Sequence, residues 1–352
     1  MKIGIITVHC ANNYGALLQA FALYKKISEL FAPNEVFILD YRPKTITHIY
    51  NIINFKSIFT FINSIIQLPM SLRRKIMFDF FRKRNIKFIS IDEVHTLDYI
   101  VCGSDQIWNP IITKGLDPCY FGMIRGFTGK VITYAVSDGG HLDDVEPSLL
   151  RKYLVCVDMI SVREPTMLPV LERYNLYPQT VLDPVFLFND NFWKQFSAKR
   201  KFKNYIIVYC MGKNDKVIKE AYQLAKKEKL KVIEITYGFP FKRLLKIKHK
   251  IISNAGIQDF LSYIQYADYV FTNSFHGLVL SIIFNKYFFL YNHHDEKRNN
   301  RLYNVLSQFK LLNRLGFDTN LETLKDIDYN NVNNTLNEKR KESISFLRDV
   351  FK

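Results

Sequence analysis

Cysteine is scarce in this 352-residue chain. The five, Cys10, Cys102, Cys119, Cys156 and Cys210, are odd in number, far apart and free of any C-x-x-C pair, which argues against a disulfide framework or a zinc scaffold. A reducing cytoplasm suits them. No apolar run reaches the ~18 residues that a membrane-spanning helix needs. The longest candidate, residues 46–70, is broken by Asn51, Asn54, Lys56, Asn63 and Gln67. The start, MKIGIITV, enters a strand pattern at once, so no signal peptide is expected. With only 14 glycines and 11 prolines, the composition has no collagen-like or low-complexity bias. Acid is also in short supply: 33 Asp and Glu face 49 Lys and Arg, a formal charge of +16. Such a balance favours anionic partners, although the abundance of Lys, Ile, Asn, Phe and Tyr expected of an AT-rich genome accounts for part of it. The basic residues are dispersed or gathered at 73–87 and form no recognition motif, so nucleic acid is not expected as a partner.

What is present is a 48% apolar chain, enough for two cores. Short β-rich runs alternate with helical patterns, the signature of parallel α/β construction. Strands are expected at 2–8, 35–41, 99–103, 131–137 and 159–163, with a helix at 15–30. A second series follows, with strands at 205–211, 231–237, 269–272 and 287–291, and helices at 215–227, at 258–267 and from Phe275. This predicts an α/β protein of the GT-B-like class, two facing Rossmann-like domains with a central cleft. The domains are drawn at 1–185 (acceptor side) and 203–315 (donor side), with a linker across 183–203 and a C-terminal helical tail at 316–352. In such sheets ligands sit outside the carboxyl ends of the strands.

One stretch, 45–87, breaks the alternation. Its first half is apolar and aromatic and its second half basic, which suits an interfacial helix attracted to anionic lipid and equally an ordinary helical excursion packed on the first domain.

Four strand ends carry polar residues that point to chemistry. After the first strand comes Asn12-Asn13-Tyr14-Gly15, whose single glycine argues against a dinucleotide site but leaves amides for an anion or sugar hydroxyls; an N-cap is the plainer reading. The run Gly103-Ser104-Asp105-Gln106-Ile107-Trp108 places three polar side chains at a strand end beside an indole on which a sugar can stack, unless Asp105 caps a helix and Trp108 is core. Arg163 has the planar fork that fits carboxylate or phosphate, unless Glu164 pairs with it. In Asn273-Ser274-Phe275-His276-Gly277 a strand turns into a helix whose first turn is electropositive and holds a group that titrates near neutrality. Downstream, Arg298 and Arg301 offer further cations. His293, His294, Asp295 and Glu296 lack the i,i+4 spacing of a helical metal site, and no metal is expected.

These segments, with Leu182-Asp183-Pro184, together resemble the polysaccharide pyruvyl transferase family across about residues 1–315. The resemblance implies a GT-B-like fold and transfer of the pyruvyl group of phosphoenolpyruvate to a sugar as a cyclic ketal. It needs no cofactor beyond phosphoenolpyruvate as co-substrate. In that frame Arg163 matches the family's cleft arginine and His276 its histidine at the second domain's helix start. Ser274 stands where well-studied branches carry an arginine, and Arg298 or Arg301 is the candidate replacement. His276 is then expected as general acid or phosphate stabiliser, Arg163 as the anion clamp sharing a small ligand with it, and Asp105 as base. Asn12, Asn13, Gly15, Ser104, Gln106, Trp108, Asn273, Ser274 and Gly277 are the expected substrate contacts. The expected place is the cytoplasm or the inner face of its membrane, the acceptor a sugar, free or on a polyprenyl lipid. A nucleotide-sugar GT-B glycosyltransferase and a non-catalytic membrane-surface subunit of a glycan assembly complex are the alternatives.

Overall fold

The computed structural model describes residues 1–50, 57–212, 215–237, 248–293, 295–316 and 326–352. Runs of Ile, Val, Leu, Phe and Tyr, buried on both faces, form strands that pair only in parallel among the described residues. The first sheet contains β1 (Lys2–Ile6), β2 (Glu35–Leu39), β3 (Phe88–Ile89), β4 (Tyr99–Asp105), β5 (Lys130–Val136), β6 (Ser161–Val162) and β7 (Gln179–Thr180) in the order β3-β2-β1-β4-β5-β6-β7. The second contains β8 (Tyr205–Tyr209), β9 (Lys231–Ile235), β10 (Lys250–Ile252), β11 (Tyr269–Thr272) and β12 (Tyr287–Leu290) in the order β10-β9-β8-β11-β12. Each sheet reverses direction once, between β1 and β4 and between β8 and β11. A doubly wound sheet opens its ligand crevice at such a switch point.

The chain divides into two compact units, and the division departs from the expected boundaries. The first holds residues 1–50, 82–188 and 333–352; the second holds 51–81 and 189–332. Residues 51–81 were expected with the first domain, but the helix Ile58–Asn85 packs most of its length within the second unit. There Arg74 Nη1 donates to the carbonyls of Tyr237 (2.9 Å) and Ser253 (2.7 Å), and the Phe81 ring meets Phe196 edge-on. Residues 51–56, the start of the excursion's apolar half, lie outside the described residues.

The second departure is the C-terminal segment. Instead of a separate tail, residues 333–352 complete the first unit: Ser343 Oγ accepts from Leu182 N at 3.0 Å, Arg340 donates to the carbonyls of Phe186 and Phe188, and Phe351 packs on Phe31 and Tyr99.

Candidate active site

In the first unit the switch point lies between the ends of β1 and β4. β4 ends in an unusual backbone. Gly103 has φ +133°, and a Cβ there would meet the Tyr134 carbonyl oxygen at 2.1 Å, so no other residue fits. Asp105 two residues on has φ +75°, a left-handed conformation that costs a non-glycine residue about 1–3 kcal/mol. Strain of this kind gathers at functional sites.

Around it runs a buried polar chain. Gln19 donates to Thr7 Oγ1 (2.9 Å) and accepts from Ser104 N (3.2 Å), while Thr7 Oγ1 donates to the Ser104 carbonyl (3.1 Å). Ser104 Oγ donates to the Ala135 carbonyl (3.0 Å) and lies 3.5 Å from Asp183 Oδ2. Arg163, buried, then donates through Nη1 to Asp183 Oδ2 (3.0 Å) and through Nε to Glu164 Oε1 (2.7 Å); Asp105 Oδ1 stands 3.9 Å from the same Nη1. Burial works against the guanidinium's charge, but the Glu164, Asp183 and Asp105 carboxylates outweigh it and hold its pKa above the ordinary arginine value.

The expected role of Arg163 as an anion clamp is therefore corrected. Its fork is occupied by acids of its own unit, and what it organises is the Asp105 carboxylate at the rim. Asp183 and Glu164, absent from the expected site, are the residues that fix it. Two local signals stood in the sequence: Glu164 directly after Arg163, and Asp183 ahead of Pro184, where it also caps the following turn by accepting from Val185 N at 3.0 Å.

Several expected substrate contacts are structural instead. Trp108 is fully buried, stacks on Phe121 at 4.6 Å and donates Nε1–H to the Tyr120 carbonyl, so no sugar reaches its face. Ser104 is equally buried. Gln106 accepts from Asn109 Nδ2 at 2.8 Å, and the pair is pressed against Gly139, whose Cβ would fall 2.4 Å from Asn109 Nδ2.

The loop after β1 is braced from outside its own sequence neighbourhood. Arg82, near the end of Ile58–Asn85, donates to the carbonyls of His9 (2.9 Å), Cys10 (3.2 Å) and Ala11 (2.6 Å) and to Asn12 Oδ1 (3.1 Å). Asn13 caps the helix Tyr14–Leu30 by accepting from Ala16 N, and its amide reaches the Tyr50 hydroxyl; Gly15 is buried in that helix's first turn. Asn12 and Asn13 stay half-buried beside Asp105's switch point.

In the second unit the corresponding switch point joins the ends of β8 and β11. Asn273 stitches them, accepting from Met211 N (2.6 Å) and donating to the Met211 carbonyl (3.0 Å). Ser274 caps the helix Phe275–Ile283 by accepting from Gly277 N at 3.4 Å. Gly277 is glycine for packing, since a Cβ there would meet Thr272 Oγ1 at 2.4 Å. Asn273, Ser274 and Gly277 are thus the scaffold of this helix start, while His276 sits in its first turn, buried, with its ring edge-on to Phe275. The Phe275 ring is also met by a cation: the Arg301 guanidinium lies over it, 5.6 Å from its centroid. Asn299 pins the preceding loop through the backbone of His293, accepting at 2.7 Å and donating at 3.1 Å, and Arg298 stands half-buried beside it. His294 lies outside the described residues. The second unit thus places an imidazole in the first turn of a helix, with a guanidinium over the neighbouring Phe275 ring.

A family model described as "Polysaccharide pyruvyl transferase" matches residues 13–295. No curated protein sequence matches the chain. Among solved structures, a UDP-GlcNAc 2-epimerase from Methanocaldococcus jannaschii is similar at a TM-score of 0.53 with 12% identity, covering 100% of this chain and 99% of that one. A putative UDP-N-acetylglucosamine 2-epimerase from Listeria monocytogenes gives 0.51 with 10% identity, over 98% and 89% of the two chains. The S. aureus MnaA–UDP co-structure gives 0.51 with 11% identity, over 96% and 87%. At such identities the likeness is one of fold, and the fold is of the GT-B-like α/β class, with two Rossmann-like units in one chain.

Proposed function

The chain belongs to the polysaccharide pyruvyl transferase family, and from that premise we propose that it transfers the pyruvyl group of phosphoenolpyruvate to two hydroxyls of a sugar, forming a cyclic ketal in the synthesis of a cell-surface glycan. The observation that carries the reading is the family match, which runs through both units from Asn13 to Asp295.

The chemistry assigns work to each unit. In the donor the methylene carbon takes a proton and the central carbon becomes electrophilic. Two sugar oxygens add to that carbon, the C–O bond to phosphate breaks, and inorganic phosphate leaves. Of the two hydroxyl protons, one balances the proton delivered to the methylene carbon and the other leaves with phosphate. His276 supplies the proton or steadies the departing phosphate, because an imidazole can both donate a proton and hydrogen-bond anionic oxygens. The first turn of Phe275–Ile283 and the Arg301 and Arg298 side chains hold the donor's two anionic groups, which answers the absence of an arginine at Ser274. Asp105 accepts a proton from an acceptor hydroxyl; Arg163, locked by Glu164 and Asp183, positions it. Asn12 and Asn13 offer amides to the sugar. The scheme requires no metal and no further cofactor. Its setting is the cytoplasm, with an acceptor that is free or carried on a polyprenyl lipid.

The test is phosphate release from phosphoenolpyruvate with the purified chain, alongside thermal-shift titrations with phosphoenolpyruvate, UDP-sugars and GDP-sugars. His276→Gln is expected to lower phosphate release by at least about 100-fold, the usual scale of a general acid's contribution. Full turnover in that variant, or stabilisation by a nucleotide sugar and none by phosphoenolpyruvate, overturns the reading.

A further inference from the structure

The helix Ile58–Asn85 carries apolar residues on two faces, one buried and the other largely exposed among the described residues. Phe78 and Phe81 are buried, and Arg82 beside them is spent on the loop after β1. On the opposite side Ile62, Ile65, Ile66, Leu72, Ile76 and Phe80 stand in solvent, with Ile62 53%, Ile76 64% and Phe80 52% exposed. At 100° per residue these six fall within an arc of about 120°, a continuous stripe several turns long. Scattered surface apolar residues are ordinary, but a stripe of isoleucines, leucine and phenylalanine on one helix face marks an interaction site.

Charge identifies the partner. Arg73, Lys83 and Arg84 lie exposed on or beside the same arc. The helix holds a single acid, Asp79, which is bound to Lys75 at 2.8 Å. The chain as a whole carries +16. A second copy of such a chain would bring like charges together, whereas an anionic bilayer accepts both the apolar stripe and the guanidinium and ammonium groups. No helix among the described residues is long and apolar enough to cross a membrane, so a lipid contact by this one would be interfacial.

We propose that the exposed face of Ile58–Asn85 docks the protein on an anionic lipid surface, with Ile62, Ile65, Ile66, Leu72, Ile76 and Phe80 entering the acyl boundary and Arg73, Lys83 and Arg84 meeting the headgroups. Arg74 and Arg82 take no part, being engaged within the protein. The proposal is independent of the ketal-transfer reading and stands or falls without it.

The experiment is flotation of the full chain with vesicles of phosphatidylcholine alone and of phosphatidylcholine containing phosphatidylglycerol. Co-flotation is expected only with the anionic vesicles and is expected to weaken as salt is raised. Ile62→Asp/Ile76→Asp should lower partitioning at least roughly ten-fold, and Arg73→Glu/Lys83→Glu should do so by a comparable factor. All four positions are exposed, so circular dichroism and the unfolding midpoint of both variants should match the parent. Failure to bind anionic vesicles at low salt overturns the proposal, as does undiminished binding by the Ile62→Asp/Ile76→Asp variant. A parent dimer that this variant converts to monomer, with vesicle binding unaltered, assigns the face to self-association and likewise overturns it.

Discussion

At the scale of single residues, the two groups that the sequence marks most strongly end in opposite surroundings. Arg163 is an arginine among carboxylates, and its charge serves the protein; His276 stands in the first turn of a helix, beside the Phe275 ring that Arg301 covers. A third residue shows how burial sets protonation. His9, in the loop after the first strand, is fully buried, with Nε2–H donating to the Tyr41 carbonyl at 3.1 Å. Burial lowers its pKa from 6.5 to about 4, with the Arg42 and Arg82 charges adding to the effect and Asp40 opposing it. The native state thus resists the proton that the unfolded chain accepts. Its contribution to stability is therefore complete above about pH 6.5 and is lost as the pH falls toward 4. At pH 5 the loss is on the order of 2 kcal/mol. Urea unfolding at pH 7 and pH 5 should show a drop of that size in the parent and a smaller one in His9→Gln. An equal drop in both would assign the slope to other groups.

At the scale of elements, the strand ends are held by close approaches that leave no room for added atoms. Gly277 is the plainest: a methyl group there would press on Thr272 Oγ1, which itself donates to the Tyr209 carbonyl at 2.6 Å and accepts from Ser274 N at 3.0 Å. Gly277→Ala should therefore cost about 1–3 kcal/mol of stability, the range for overpacking, and should reduce phosphate release by moving the turn that carries His276. Denaturant midpoints and turnover measured on the same preparation check both; a variant of unchanged stability would show that the turn yields freely. Which elements could be read in advance follows the same physics. The buried central strands β1, β4, β8 and β11 and the helices Tyr14–Leu30 and Phe275–Ile283 are legible because continuous apolar runs bounded by turns have few alternatives. β3, β7 and β10 were not, being sheet-edge strands of two or three residues with no room for a period. At the site, a strand end announces a polar residue but not its neighbours. Trp108 and Arg163 carry the same letters whether they face a ligand or a core, and it is Phe121 and Asp183, distant in sequence, together with the adjacent Glu164, that decide it.

At the scale of the whole molecule, the chain order of the two units is interleaved, which no local pattern announces. Helix Ile58–Asn85 leaves its first-unit sequence neighbours to pack mostly with the second, and the last helix, Tyr329–Asp349, returns to the first. The return is structural: Leu182 N, next to the Asp183 that holds Arg163, is satisfied by Ser343 Oγ, and Leu347 is fully buried. The C-terminal segment thus acts on the acid cluster through the backbone beside it. Removing residues 333–352 should leave Leu182 N and the Phe186 and Phe188 carbonyls without these partners and uncover the first unit's core, a loss of several kcal/mol at an expected ~1–3 kcal/mol for each buried polar group left unmet. Amide hydrogen exchange on the shortened chain should show faster exchange in β4, β5 and β6, while β8, β11 and β12, which belong to the other unit, keep their protection. Ser343→Ala tests the same link with one atom removed: protection should fall most at Leu182 and its neighbours. Uniform loss across both sheets would mean that the segment supports the entire molecule rather than the unit it completes.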